Sequence, residues 1–171
     1  RGPHSEGHGL EGHFGLCHRR LALIDRSSLV HQPLISADDR YVLSYNGEIS
    51  NFLELRTELE AFVYSFRSKT DTEVVLNALL HWGAAALDRF NGMFAFAFWD
   101  RKERSLELAR ERYGIKPLYI ARPGNNGWFA SEQRAILSDV RFRRALVTPA
   151  LRAVFSLQNL FQHRTLRPVS S

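Results

Sequence analysis

The chain has 171 residues and a mass of 19.6 kDa, the length of one domain or of a domain with an appendage. Its composition, 44% apolar, 12% aromatic and 24% charged, is globular and excludes disordered and collagen-like classes. A single cysteine, Cys17, excludes an internal disulfide framework, and no apolar run reaches the roughly 20 residues that cross a bilayer.

The formal charge is +5, but it is unevenly spread. Residues 141–171 carry six arginines and no acid, leaving 1–140 near neutral. A basic segment of this kind binds nucleic acid or anionic lipid, or docks on an acidic neighbour. No recognition motif accompanies the arginines, so docking is the expectation. The first residue is Arg1, and a fragment or processed product is expected. No secretory leader is visible.

In chain order, residues 1–18 are rich in Gly and His and read as a loop leading into a strand. Leu21 to Ile24 reads as a strand ended by Asp25 and Ser27. Tyr41 to Tyr45 is a strand stopped by an Asn46-Gly47 turn. Asn51 and Glu54 fit a capping box opening a helix with Leu55, Leu59 and Phe62 on one face. Thr70 and Glu73 open a second helix, ended at Gly83, and a short helix covers Ala84 to Phe90. From Phe94 to Trp99, Phe alternates with Ala, so this strand presents one bulky and one small face to two different layers. Leu106 to Ala109 follows across a polar turn. Leu118 to Ala121 and Trp128 to Ala130 form a hairpin, and Glu132 to Ser138 a short helix. Strands in runs and helices in pairs predict an α+β fold with mainly antiparallel sheet.

Gly7-His8-Gly9-Leu10-Glu11-Gly12 matches a dinucleotide fingerprint only in letters, because no strand precedes it and no helix follows. A flexible glycine-rich loop is the better reading. His4, His8, His13 and His18 are spaced for metal only if helical, and the glycines between them disfavour a helix. Cys17 and His18 would point to opposite faces of a strand, so a small, buried, inert thiol is expected at 17.

Asn46-Gly47-Glu48 has two readings. It is a turn, or an amide N–H and a backbone N–H converging on a developing oxyanion. One of Arg19 and Arg20 must face inward, where it needs a carboxylate. Asp71 either complements a helix dipole or binds a ligand ammonium.

Eight words in order along residues 1 to about 137 resemble one family. They are Arg1-Gly2-Pro3, His18-Arg19-Arg20-Leu21, His31-Gln32-Pro33, Tyr45-Asn46-Gly47-Glu48-Ile49, Thr70-Asp71-Thr72-Glu73, Asn91 to Ala97, Gly114 to Tyr119, and Ala130-Ser131-Glu132. The chain resembles the class II glutamine amidotransferase domain of glutamine-hydrolysing asparagine synthetases, which are N-terminal-nucleophile hydrolases. The resemblance implies a four-layer αββα sandwich of two antiparallel sheets (the Ntn-hydrolase fold), truncated at the N-terminus. Residues 1–140 would be the domain and 141–171 a connector towards an absent synthetase domain.

It further implies that Arg20 holds the glutamine α-carboxylate and that Leu21 and Leu23 line the pocket. Asn46 and Gly47 would form the oxyanion hole, and Glu48 and Asp71 would accept the α-amino group. A nucleophilic cysteine at the mature N-terminus, upstream of Arg1, would attack the side-chain amide, so the chain as given is expected to be inactive. No cofactor is expected in this domain; ATP and Mg²⁺ would serve the synthetase domain. The partners expected are L-glutamine and that domain, with no nucleic acid and no membrane, a homodimer being allowed, in the cytoplasm. Against the family pattern, His4 replaces Asp, Cys17 replaces Gly, Ser50 replaces an aromatic, and Glu111 replaces Asp. A catalytically silent structural domain and nucleic-acid binding through the arginine tail are the alternatives.

Overall fold

The computed structural model describes residues 5–12, 14–20, 32–122 and 125–142. The strand expected at 21–24 and most of the basic segment lie outside them.

A four-stranded antiparallel sheet forms the middle of the molecule, in the order β3 (Leu34–Ile35), β4 (Tyr41–Ile49), β5 (Gly92–Asp100), β6 (Ser105–Arg110). The Phe/Ala alternation sorts β5 between two layers. Phe94, Phe96 and Phe98 join Leu43, Tyr45 and Ile49 in a core shared with α1 (Phe52–Ala61) and α2 (Asp71–Trp82). Ala97 and Trp99 face the other way and pack with Val42 and Leu16. The helices bury Leu55, Leu59, Val74 and Val75 to 4% exposure or less, each worth about 1.5–3 kcal/mol of transfer free energy. Gly83, at φ 57°, ends α2, and a 3-10 helix runs from Gly83 to Arg89.

Two hairpins make the second strand layer. One is β1 (Ser5–Glu11) with β2 (Phe14–Arg20); the other is β7 (Tyr119–Ala121) with β8 (Trp128–Ala130). Leu16, Phe14 and Phe129 seat them on the small-residue face of the central sheet, where the Phe14 and Trp99 rings stack at 4.1 Å. α3 (Gln133–Leu137) follows β8. Two antiparallel strand layers, with α1 and α2 packed outside the central sheet, agree with the α+β reading and are consistent with the αββα sandwich that the resemblance implies.

Five local expectations are corrected. Residues 5–11 are a strand, not a loop: Gly12 takes the turn at φ 56°, and Gly7 is glycine because a Cβ there would lie 2.1 Å from the Gln32 carbonyl oxygen. Asn46-Gly47 is not a turn, because pairing with β5 carries β4 through to Ile49. Asn51 makes no capping bond. Its amide donates to the Arg89 carbonyl at 2.9 Å and accepts from the Asn91 N–H at 3.0 Å. Thr70 likewise caps nothing with its side chain; Glu73 instead accepts from the N–H groups of Arg67 and Ser68. Cys17 is exposed rather than buried.

Candidate functional site

β4 brings most of the predicted site residues to one place. Strand alternation turns Ser44, Asn46 and Glu48 away from the helices, and the last two are exposed. They line a cleft of about 1800 Å³ bounded by both hairpins, β4 and the start of α2. His18 of β2 reaches across, with Nδ1 2.9 Å from the Ser44 hydroxyl.

The odd residues of β4 present their backbone groups to the edge away from β5. The Ser50 N–H bonds the Asn91 carbonyl and the Arg101 N–H the Arg40 carbonyl, so the even positions carry the rungs to β5. On the other edge, two side chains act as acceptors. The Tyr45 N–H donates to Gln32 Oε1 at 2.6 Å, and the Ile49 N–H donates to Asp71 Oδ2 at 3.2 Å. Gly47 lies between them, and the same alternation points its N–H to this edge. The position excludes a side chain: a Cβ on Gly47 would stand 2.6 Å from the Met93 carbonyl oxygen and 2.8 Å from Phe94 Cα.

Asp71 opens α2, where the helix dipole favours a negative charge. Its Oδ2 also accepts from the Tyr45 hydroxyl at 2.9 Å. Burial pushes the Asp71 carboxyl above the usual carboxylate range, with a further push from Glu48. The hydrogen bonds from Tyr45, Ile49 and Thr72 offset only part of this. Burial first, and then the Asp71 charge, push the Tyr45 phenol well up, so Tyr45 is the donor throughout the physiological range. Two carboxylates on adjoining elements make this end of the cleft a place for a cation.

A third carboxylate organises the cleft wall. Glu111 is buried, which alone would raise its pKa, yet it is lowered because the N–H groups of residues 113–116 converge on it. Gly114 and Lys116 donate at 2.8 and 3.1 Å. That fixes the 112–117 loop, whose Ile115, Lys116 and Pro117 line the cleft.

Of the predicted residues, Asn46, Gly47, Glu48 and Asp71 therefore meet in one cleft. Arg20 is the last residue of β2, in register with Ser5; Leu21 and Leu23 lie outside the described residues. Among the described residues no three of His, Cys, Asp and Glu gather as metal ligands; His4 and His13 fall outside that description. Among them too, no helix is long and apolar enough to cross a membrane. Sequence reasoning missed Tyr45 and Gln32. Both stand inside the family-like words, and the alternation of β4 was the available signal for Tyr45.

Comparison with known proteins gives a consistent result. A family profile described as a glutamine amidotransferase domain matches residues 1–169. The chain is 42% identical over 137 residues to asparagine synthetase [glutamine-hydrolyzing] 1 of Bacillus subtilis, covering 80% of this chain and 22% of that one. It is 44% identical over 147 residues to a putative asparagine synthetase [glutamine-hydrolyzing] of Mycobacterium tuberculosis H37Rv, with the same coverage. The chain thus spans about a fifth of the length of these relatives. Among solved structures, the glutamine phosphoribosylpyrophosphate amidotransferase of B. subtilis, complexed with ADP and GMP, is similar at a TM-score of 0.61. It is 25% identical, covering 71% of this chain and 28% of that one.

Proposed function

Because the chain belongs to the glutamine amidotransferase domain family, we propose that the cleft binds L-glutamine and supports hydrolysis of its side-chain amide. The observation that carries this reading is the meeting of Asn46, Gly47, Glu48 and Asp71 at one end of a single cleft. Glu48 and Asp71 take the α-ammonium group. The Asn46 amide and the Gly47 N–H stabilise the oxyanion formed as the side-chain carbonyl is attacked. Arg20 pairs with the α-carboxylate.

The attacking group is a cysteine at the mature N-terminus of the intact protein, with its own α-amine as base. Cys17 does not fill that role, since its nitrogen is in a peptide bond. The thiolate adds to the side-chain amide carbon, the α-ammonium returns its proton to the amide nitrogen, the C–N bond breaks to release ammonia and leave a thioester, and water then cleaves the thioester to glutamate and the free thiol. By analogy with the asparagine synthetases, the ammonia goes on to an aspartate carboxylate activated with ATP and Mg²⁺ outside this chain.

The test is ammonia release from L-glutamine by the intact protein, with and without Arg20→Ala. The expected result is release by the wild type and a KM at least about tenfold higher in the variant, the loss of one charge-assisted pair. No release from the intact protein overturns the reading, and an unchanged KM overturns the role of Arg20.

A further inference from the structure

Tyr45 is 3% exposed, and its ring belongs to the core between β4 and the helices. A phenylalanine would fill that space, whereas a phenol there loses its hydration and must be compensated by a hydrogen bond. The compensation comes from a carboxylate at the cleft, Asp71 Oδ2 at 2.9 Å. The residue is fixed at its other end too, because its N–H donates to Oε1 of Gln32, itself 7% exposed. The Ile49 N–H meets the same Asp71 oxygen at 3.2 Å. Two donors from one strand, four residues apart, thereby converge on one carboxylate oxygen and fix the rotation of the Asp71 carboxyl group.

We propose that Tyr45 is a positioning residue: its hydroxyl holds Asp71 in the orientation that receives the α-ammonium group of an amino-acid ligand. The inference rests on the reading of the cleft as a glutamine site and adds to it the residue that sets the geometry of ammonium recognition. Tyr45 acts only through Asp71, so its contribution to binding disappears when Asp71 can no longer offer a charge.

The experiment is a double-mutant cycle on the intact protein, with glutamine affinity measured by calorimetry for wild type, Tyr45→Phe, Asp71→Asn and the double variant. Tyr45→Phe is expected to weaken binding on the order of tenfold, the scale of one charge-assisted hydrogen bond. The double variant should then bind as Asp71→Asn does, within about twofold. A Tyr45→Phe affinity equal to wild type, or losses that multiply in the double variant, overturn the proposal. Absence of glutamine binding by the folded wild type overturns the site reading itself, and the inference with it.

Melting scans check the fold of each variant. If Tyr45→Phe does not fold, 3-fluorotyrosine at position 45 gives a second readout. Its fluorine resonance should move on saturation with glutamine in the wild-type background and stay still in Asp71→Asn. A resonance indifferent to glutamine in both backgrounds overturns the proposal.

Discussion

Asp71 is ionisable, partly buried and beside a second acid, so the fold is less stable for having it. Its carboxyl titrates higher in the folded protein than in the unfolded chain, with burial as the main cause. Between those two values the folded state holds the proton more tightly. Stability therefore falls as pH rises through that interval and stays lower above it. Asp71→Asn keeps an oxygen to accept from Tyr45 and Ile49 but carries no charge. We expect its Tm at pH 7 to exceed that of the wild type by a few degrees, with the difference shrinking towards pH 4, while glutamine binding weakens. Melting scans across that range check this, and a variant less stable at every pH would contradict it. Asp100 shows the opposite case: Arg40 grips it with two nitrogens and holds its carboxyl down at about 2. From residue type alone Asn46, Glu48 and Asp71 were only candidates for an oxyanion and an ammonium, beside a turn and a helix-dipole reading; the family-like words singled them out, and the structure brings them to one cleft. Tyr45 was not a candidate, because its role depends on the packing of β4 against a helix that starts 26 residues later.

The elements were legible where side-chain period decides them and misread where a local signal competes with pairing. The Phe and Ala faces of β5 meet the two layers that the alternation predicts. Asn-Gly is a strong turn signal in isolation, but nine paired residues of β5 override it, and the glycine is needed because Met93 and Phe94 approach too closely for a Cβ. Asn51 precedes a helix as a cap would, yet its amide clamps residues 89 and 91 to the start of α1. Asn51→Ala should therefore cost about 1–2 kcal/mol for two hydrogen bonds without loss of α1 helicity. Urea denaturation followed by circular dichroism measures both, and fraying of α1 at native conditions would restore the capping account.

At the scale of the molecule, the layered order follows from strands that come in runs and helices that come in pairs. The glycine-rich opening was misread because glycine in a strand has no periodic signal; what requires it at Gly7 is a carbonyl of Gln32, 25 residues away in sequence. Cohesion is uneven across the layers. β5 has a paired neighbour on each side, while β7 and β8 form a three-residue ladder with no other strand bonded to it among the described residues. Two-stranded ribbons of that kind are marginal on their own. Amide hydrogen exchange should accordingly be slowest in β5 and the paired face of β4, and fastest among the strands in β7 and β8. Equal protection of β7 and β5 would mean that the hairpin opens only with the whole domain.

The acceptors along the outer edge of β4 bear on whether strands of other chains can add there. A strand whose outward N–H groups lack acceptors is a template onto which another chain can add. At Tyr45 and Ile49 those groups are already engaged by the ends of Gln32 and Asp71. The Asp71 carboxylate at the cleft therefore also guards against self-templating. A substitution that trims Asp71 to a side chain without an acceptor frees the Ile49 N–H on the margin of β4 away from β5. Loss of the proposed glutamine binding and a tendency to precipitate are then expected together, from one missing oxygen.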